Sequence, residues 1–165
     1  MTDQRSDRAG FADAVAGCRD CEFSVDWWTR GGEPGPGYTS DKLTVAAGKD
    51  AARATYIKTR FDPAFEGGFR ALRFAGYVDR AEAERLLAAF DRDRLFDRRF
   101  AAEGRGDLAD GVKDTIEVKL PSSTFAKTMV EIDDADLAEA RKLRDALSAR
   151  LEAAGRGEDL NERAR

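Results

Sequence analysis

The sequence predicts an α+β fold: an antiparallel sheet of about six strands packed on two main helices, in the rough order (α)ββββ-α-ββ-α. Three observations predict it. Several short stretches alternate apolar and polar residues, the period of a half-buried strand. Glycine, proline and aspartate clusters separate them at distances that suit hairpins. Two longer stretches space their leucines as an amphipathic helix does. Hairpins with helices over one face lead to an antiparallel sheet. The chain has 165 residues, enough to bury a core as one domain.

Residues 1–9 are small and charged, without periodicity, and read as a disordered N-terminus. Residues 10–154 read as the single α+β domain and 155–165 as a polar flexible tail. Phe11, Ala12, Ala14, Val15 and Ala16 suggest a short helix ended by Gly17. Over 22–29, Phe23, Val25 and Trp27 point one way, and Ser24, Asp26 and Trp28 the other. The run GGEPGPG at 31–37 is a loop. Strands at 42–46 and 53–61 flank a turn at Gly48-Lys49-Asp50 and make a hairpin. In the second of them Thr55, Ile57, Thr59 and Phe61 oppose Ala54, Tyr56 and Lys58. Beyond Asp62-Pro63 and Gly67-Gly68, residues 69–75 form a strand with Leu72 and Phe74 inward.

Asp79 then caps a helix, and Glu82 completes a capping box. Leu86, Leu87 and Phe90 are its apolar stripe, and Leu95 and Phe96 close the core behind it. A Gly/Asp-rich connection at 101–111 leads to the strand 115–120, with Ile116, Val118 and Leu120 inward. Pro121-Ser122-Ser123 turns the chain, and 125–132 returns as the hairpin partner. Asp133 caps a long helix at 134–154, whose Leu137, Ala140, Leu143, Leu147 and Leu151 share one face and which Gly155 stops.

Composition removes classes of chemistry. The chain has no histidine, which excludes Ser-His, Cys-His and His-zinc mechanisms within it. Its 32 acidic residues outnumber 28 basic ones, for a net charge of -4. That balance argues against a surface built mainly for nucleic acid or an anionic membrane. No stretch approaches the roughly 20 apolar residues of a membrane span, so no membrane partner is expected. The polar N-terminus lacks a signal-peptide core, and the chain reads as soluble and cytoplasmic. Cys18 and Cys21 leave three readings open: an incidental pair, a reversible bond between them, or a metal shared by two copies.

Other clusters have plain explanations. Asp91, Asp93 and Asp97, and then Asp107, Asp110 and Asp114, read as solvated, salt-bridged surface, because Arg92, Arg94, Arg98 and Arg99 sit among them. Asp133, Asp134 and Asp136 suit a helix N-terminus, where acids meet free amides and the positive end of the dipole. Arg105-Gly106-Asp107 is a chance tripeptide. The 31–37 loop lacks the Lys and Ser/Thr of a phosphate loop. No cofactor, metal ligand or catalytic residue is expected.

Two surfaces remain. Adjacent residues on a strand face opposite sides, so one of Trp27 and Trp28 is core, and the other is an interface anchor unless the N-terminal helix covers it; Trp28 is the candidate. Tyr38, in a loop, is a second anchor. Arg53, Lys58, Arg60, Arg70 and Arg73 form an alternative, nucleic-acid face, with Tyr56, Phe61, Phe69 and Phe74 between them and only Asp62 and Glu66 as acids over 53–73. Basic residues interleaved with aromatics on a sheet are how single strands are held.

The second half also carries a resemblance. Gly67-Gly68-Phe69 precedes an Arg-containing strand; AEAERLLAAF, KDTIEVKL, AKTMVEI and a C-terminal helix follow. Over about 66–151 this order is similar to small bacterial α+β domains that include emfourin-type inhibitors of thermolysin-like metalloproteases. The resemblance implies an inhibitor interface at the Gly67-Gly68-Phe69 turn; Glu66 or nearby arginines would form its polar rim. The expectation is a non-catalytic protein–protein interaction module, of protease-inhibitor or immunity type, with another protein as partner. Its anchors are Trp28, Tyr38 and Phe69. The alternatives are a nucleic-acid-binding domain and an enzyme.

Overall fold

The computed structural model describes residues 10–32, 35–65, 67–98, 100, 111–130, 132 and 135–161. The elements are α1 (Phe11–Ala16), β1 (Phe23–Gly31), β2 (Thr39–Ala47), β3 (Ala51–Phe61), β4 (Phe69–Asp79), α2 (Arg80–Arg92), β5 (Lys113–Leu120), β6 (Ser123–Val130), α3 (Ala138–Ala154) and β7 (Glu158–Asp159). The strands form one antiparallel sheet in the order β6-β5-β1-β2-β3-β4-β7. The first four are a meander. The chain then crosses by α2 to the far side of β1, where the β5–β6 hairpin joins the sheet. It recrosses by α3 and ends against β4.

All three helices lie on one side. Trp27 on β1 packs on Phe90 of α2 with ring centroids 5.6 Å apart. Phe11 of α1 meets Phe125 of β6 at 5.2 Å. On β4, a side chain at Gly76 would come within 3.0 Å of Leu151 of α3, so glycine lets that helix approach. Phe23, Val25, Leu43, Val45, Ile116 and Val118 complete the sheet half of one contiguous core. Trp27 is fully buried; truncating such a residue to alanine costs about 3–5 kcal/mol. No helix among the described residues is long and apolar enough to cross a membrane.

The antiparallel α+β sandwich is as the alternation predicts, with one strand more. That strand, β7, corrects the flexible tail expected at 155–165. Glu158 and Asp159 pair with Arg73 and Leu72, and Asn161 Nδ2 donates to the Phe69 carbonyl. A two-residue strand has too few residues for its alternation to show. The second long helix starts at Ala138, after Leu137, and not at residue 134. The expected caps Asp133 and Asp134 lie outside the described residues, while Asp136 pairs with Arg98. At α2 the expected capping box does not form. The Asp79 side chain makes no cap bond, and the Glu82 carboxylate accepts from Arg150.

The expected disordered segment 1–9, Glu66 and the Arg105-Gly106-Asp107 tripeptide also fall outside the described residues. Cys18 and Cys21 are bonded to each other. The Arg80 guanidinium holds their loop, donating to the carbonyls of Cys21 and Gly48. Asp114 corrects the solvated-surface reading outright: it is fully buried, on the inward side of β5.

Candidate interaction surface

Because the helices share one side, the other face of the sheet is uncovered by any described element. Strand parity decides what it displays. From β1 it carries Asp26, Trp28 and Arg30; from β2, Ser40, Lys42 and Thr44; from β3, Ile57, Thr59 and Phe61. β3 also places Arg53 there; from β4 it carries Phe69, Ala71, Arg73 and the 82% exposed Tyr77, and from β5 Lys113, Thr115 and Glu117. None of these side chains belongs to the buried core.

Trp28 sits near the middle, half-buried, with Lys42 and Thr115 as its cross-strand neighbours. Its Nε1 donates to Ser40 Oγ at 2.7 Å, and the Arg30 guanidinium lies 4.0 Å from its ring centroid. Trp27, the other half of the dipeptide, is the core residue. Towards one end of the face, Phe69 meets Tyr38 at 5.6 Å and Phe61 at 5.8 Å, both edge to face. The three expected anchors, Trp28, Tyr38 and Phe69, stand on one surface and are partly exposed. Gly67 and Gly68 form the turn that delivers Phe69. Both have positive φ, 86° and 75°, which a side chain resists. The turn is closed by backbone hydrogen bonds, the Gly68 amide donating to the Phe65 carbonyl and the Asp62 amide to the Gly68 carbonyl.

The five basic residues of the alternative face do not share a side. Arg53 and Arg73 are on the uncovered face. Lys58, Arg60 and Arg70 are on the helix side, one residue out of phase. Four of the five face carboxylates: Lys58 with Glu152 at 2.9 Å, Arg60 with Asp41 at 3.0 Å, Arg70 with Asp159 at 3.1 Å and Arg73 with Glu158 at 3.9 Å. Of the aromatics between them, Tyr56 and Phe74 are buried in the core.

On the helix side, polar groups converge on Asp114. Trp27 Nε1 and Thr29 Oγ1 donate to its Oδ1 at 2.9 and 2.6 Å, while Arg141 and Arg144 approach at 3.4 and 3.6 Å. Arg144 also stacks over Trp27 at 4.6 Å. The adjoining cleft, lined by Thr29, Asp41, Tyr56, Arg144 and Ser148, encloses about 90 Å³. Burial and then the Asp41 carboxylate push the Tyr56 phenol well above its ordinary range. A groove of about 190 Å³ separates α2 from α3. At its rim Arg150 grips Glu82 with two bonds of 2.6 Å, which hold the Glu82 carboxyl below its usual range. Both spaces fall short of the roughly 300 Å³ at which ligand pockets begin.

Sequence reasoning missed Arg30, Lys42 and Lys113. Arg30 was within reach, since it shares Trp28's parity. Lys113 was not, because it faces Arg30 only through the β1–β5 pairing, which links distant parts of the chain. No protein-family model matches this chain, and no curated protein sequence does.

Proposed function

We propose that this protein is a non-catalytic binding module that engages another protein through the uncovered face of its sheet. The observation that carries this reading is the gathering of Trp28, Tyr38 and Phe69 on one rigid, helix-free face. Trp, Tyr and Arg dominate binding hot spots, and a sheet presents them with little ordering cost. Asp114, the strongest polar convergence elsewhere, supports a structural role rather than a catalytic one, since its donors are all groups of the fold. An inhibitor or immunity-type role belongs to the same proposal. The Gly67–Gly68 turn next to Phe69 is the segment it would present, in keeping with the resemblance to emfourin-type inhibitors.

The test is affinity capture from a lysate of the source cells, at high salt and after nuclease treatment, with wild type and a Trp28→Ala/Phe69→Ala variant. A protein retained by the wild type and lowered about tenfold or more in the variant is the expected result, the size of a two-residue hot-spot loss. Equal retention by a variant with an unchanged circular dichroism spectrum would refute the reading.

A further inference from the structure

We infer that the block formed by Trp28, Arg30, Lys42 and Lys113 docks an acidic, carboxylate-bearing protein segment; this rests on the binding-module reading and adds the partner's chemistry. In the sheet register Lys42 lies across from Trp28, and Lys113 across from Arg30. Three cations thus surround one indole. On β3 and β4, Lys58, Arg60, Arg70 and Arg73 are spent on carboxylates, while Arg53 lies farther along the face. Among the described residues none of Arg30, Lys42 and Lys113 has a carboxylate within ion-pair distance. In a chain of net charge -4, three cations beside a tryptophan, against the single Asp26 carboxylate that β1 puts on this face and that accepts from Thr44, leave a net positive field aimed outward.

The ring geometry favours a protein over a nucleic acid. Stacking of bases needs open aromatic faces. The Arg30 guanidinium already lies over the Trp28 ring. Tyr38, Phe61 and Phe69 turn edges and faces to each other at 81° and 82°. What the block still offers is charged donors: the Arg30 fork, suited to a bidentate carboxylate, and two ammonium groups. Ile57, paired with Lys42, supplies an apolar contact beside them.

The experiment titrates a labelled poly-glutamate peptide and a labelled oligothymidylate into the full chain at low salt. It compares wild type, Arg30→Glu/Lys42→Glu/Lys113→Glu, and the charge-matched control Lys49→Glu/Lys142→Glu/Arg156→Glu. The glutamine version of the first triple serves if the reversal impairs folding. The expected result is poly-glutamate binding that falls about tenfold in the face triple and stays within about twofold in the control, as three ion pairs of modest strength predict. Equal weakening in both triples, or no poly-glutamate binding, overturns the inference. So does oligothymidylate binding that is tighter and is lost in the face triple. If poly-glutamate fails while lysate capture still depends on Trp28 and Phe69, only the acidic chemistry falls and the binding module stands.

Discussion

At the scale of single residues, Asp114 holds the two layers together. It is buried on β5 and takes donors from β1 and α3. Removing one partner from a buried ionic cluster leaves the others uncompensated, so Asp114→Ala should cost about 3–5 kcal/mol in urea unfolding. A loss under about 1 kcal/mol would show the cluster to be idle. The alternation in KDTIEVKL gives Asp114 the parity of Ile116. The acidic company of the preceding loop outweighed that signal, because nothing local announces the arginines of α3.

Asp93 makes the opposite case. It is the C-cap residue of α2, where the helix dipole disfavours an anion. Its Oδ2 is buried without a hydrogen-bond partner, and burial raises its pKa. A carboxyl whose folded pKa lies above its unfolded one contributes stability below the unfolded pKa and loses it as pH rises through the folded pKa. Asp93→Asn should therefore stabilise the protein at neutral pH by about 0.5–1 kcal/mol. The gain should shrink in acid, which melting curves across pH would show.

At the scale of elements, the β3–β4 turn sets one edge of the proposed binding face. A methyl at Gly68 would sit 3.0 Å from the Phe61 ring at a φ of 75°. Gly68→Ala should cost about 1–2 kcal/mol, read by thermal melting, and should disturb the Tyr38–Phe61–Phe69 cluster. An unchanged melting temperature would mean that the turn relaxes freely. Elements were legible wherever local period decides them. The parities of β1, β3 and β5 follow from alternation alone, and the β2–β3 hairpin from the Gly48 turn. Placing β5 beside β1 requires a pairing between distant segments. The late start of α3 shows how a helix can yield its first turn to a buried Leu137. The five-cation face failed for the simplest geometric reason: Arg53 and Lys58, or Arg70 and Arg73, are odd numbers of residues apart and so face opposite sides.

At the scale of the whole molecule, the sandwich is one-sided. Its helices and buried ionic cluster occupy one side of the sheet, and Trp28, Tyr38, Phe69, Arg30, Lys42 and Lys113 the other. The anchors Trp28, Tyr38 and Phe69 were legible as candidates from residue type and loop position. That they share a face was not, since Tyr38 reaches Phe69 only through two strand pairings. Under the proposed reading a partner sits on the uncovered face, and not in the groove between α2 and α3. The most direct test sets the two surfaces against each other in the capture experiment: Trp28→Ala/Phe69→Ala on the sheet, and Arg85→Glu/Leu147→Ala in the groove. The sheet variant should lose the captured protein and the groove variant should keep it. Retention by the sheet variant with loss by the groove variant would contradict that reading.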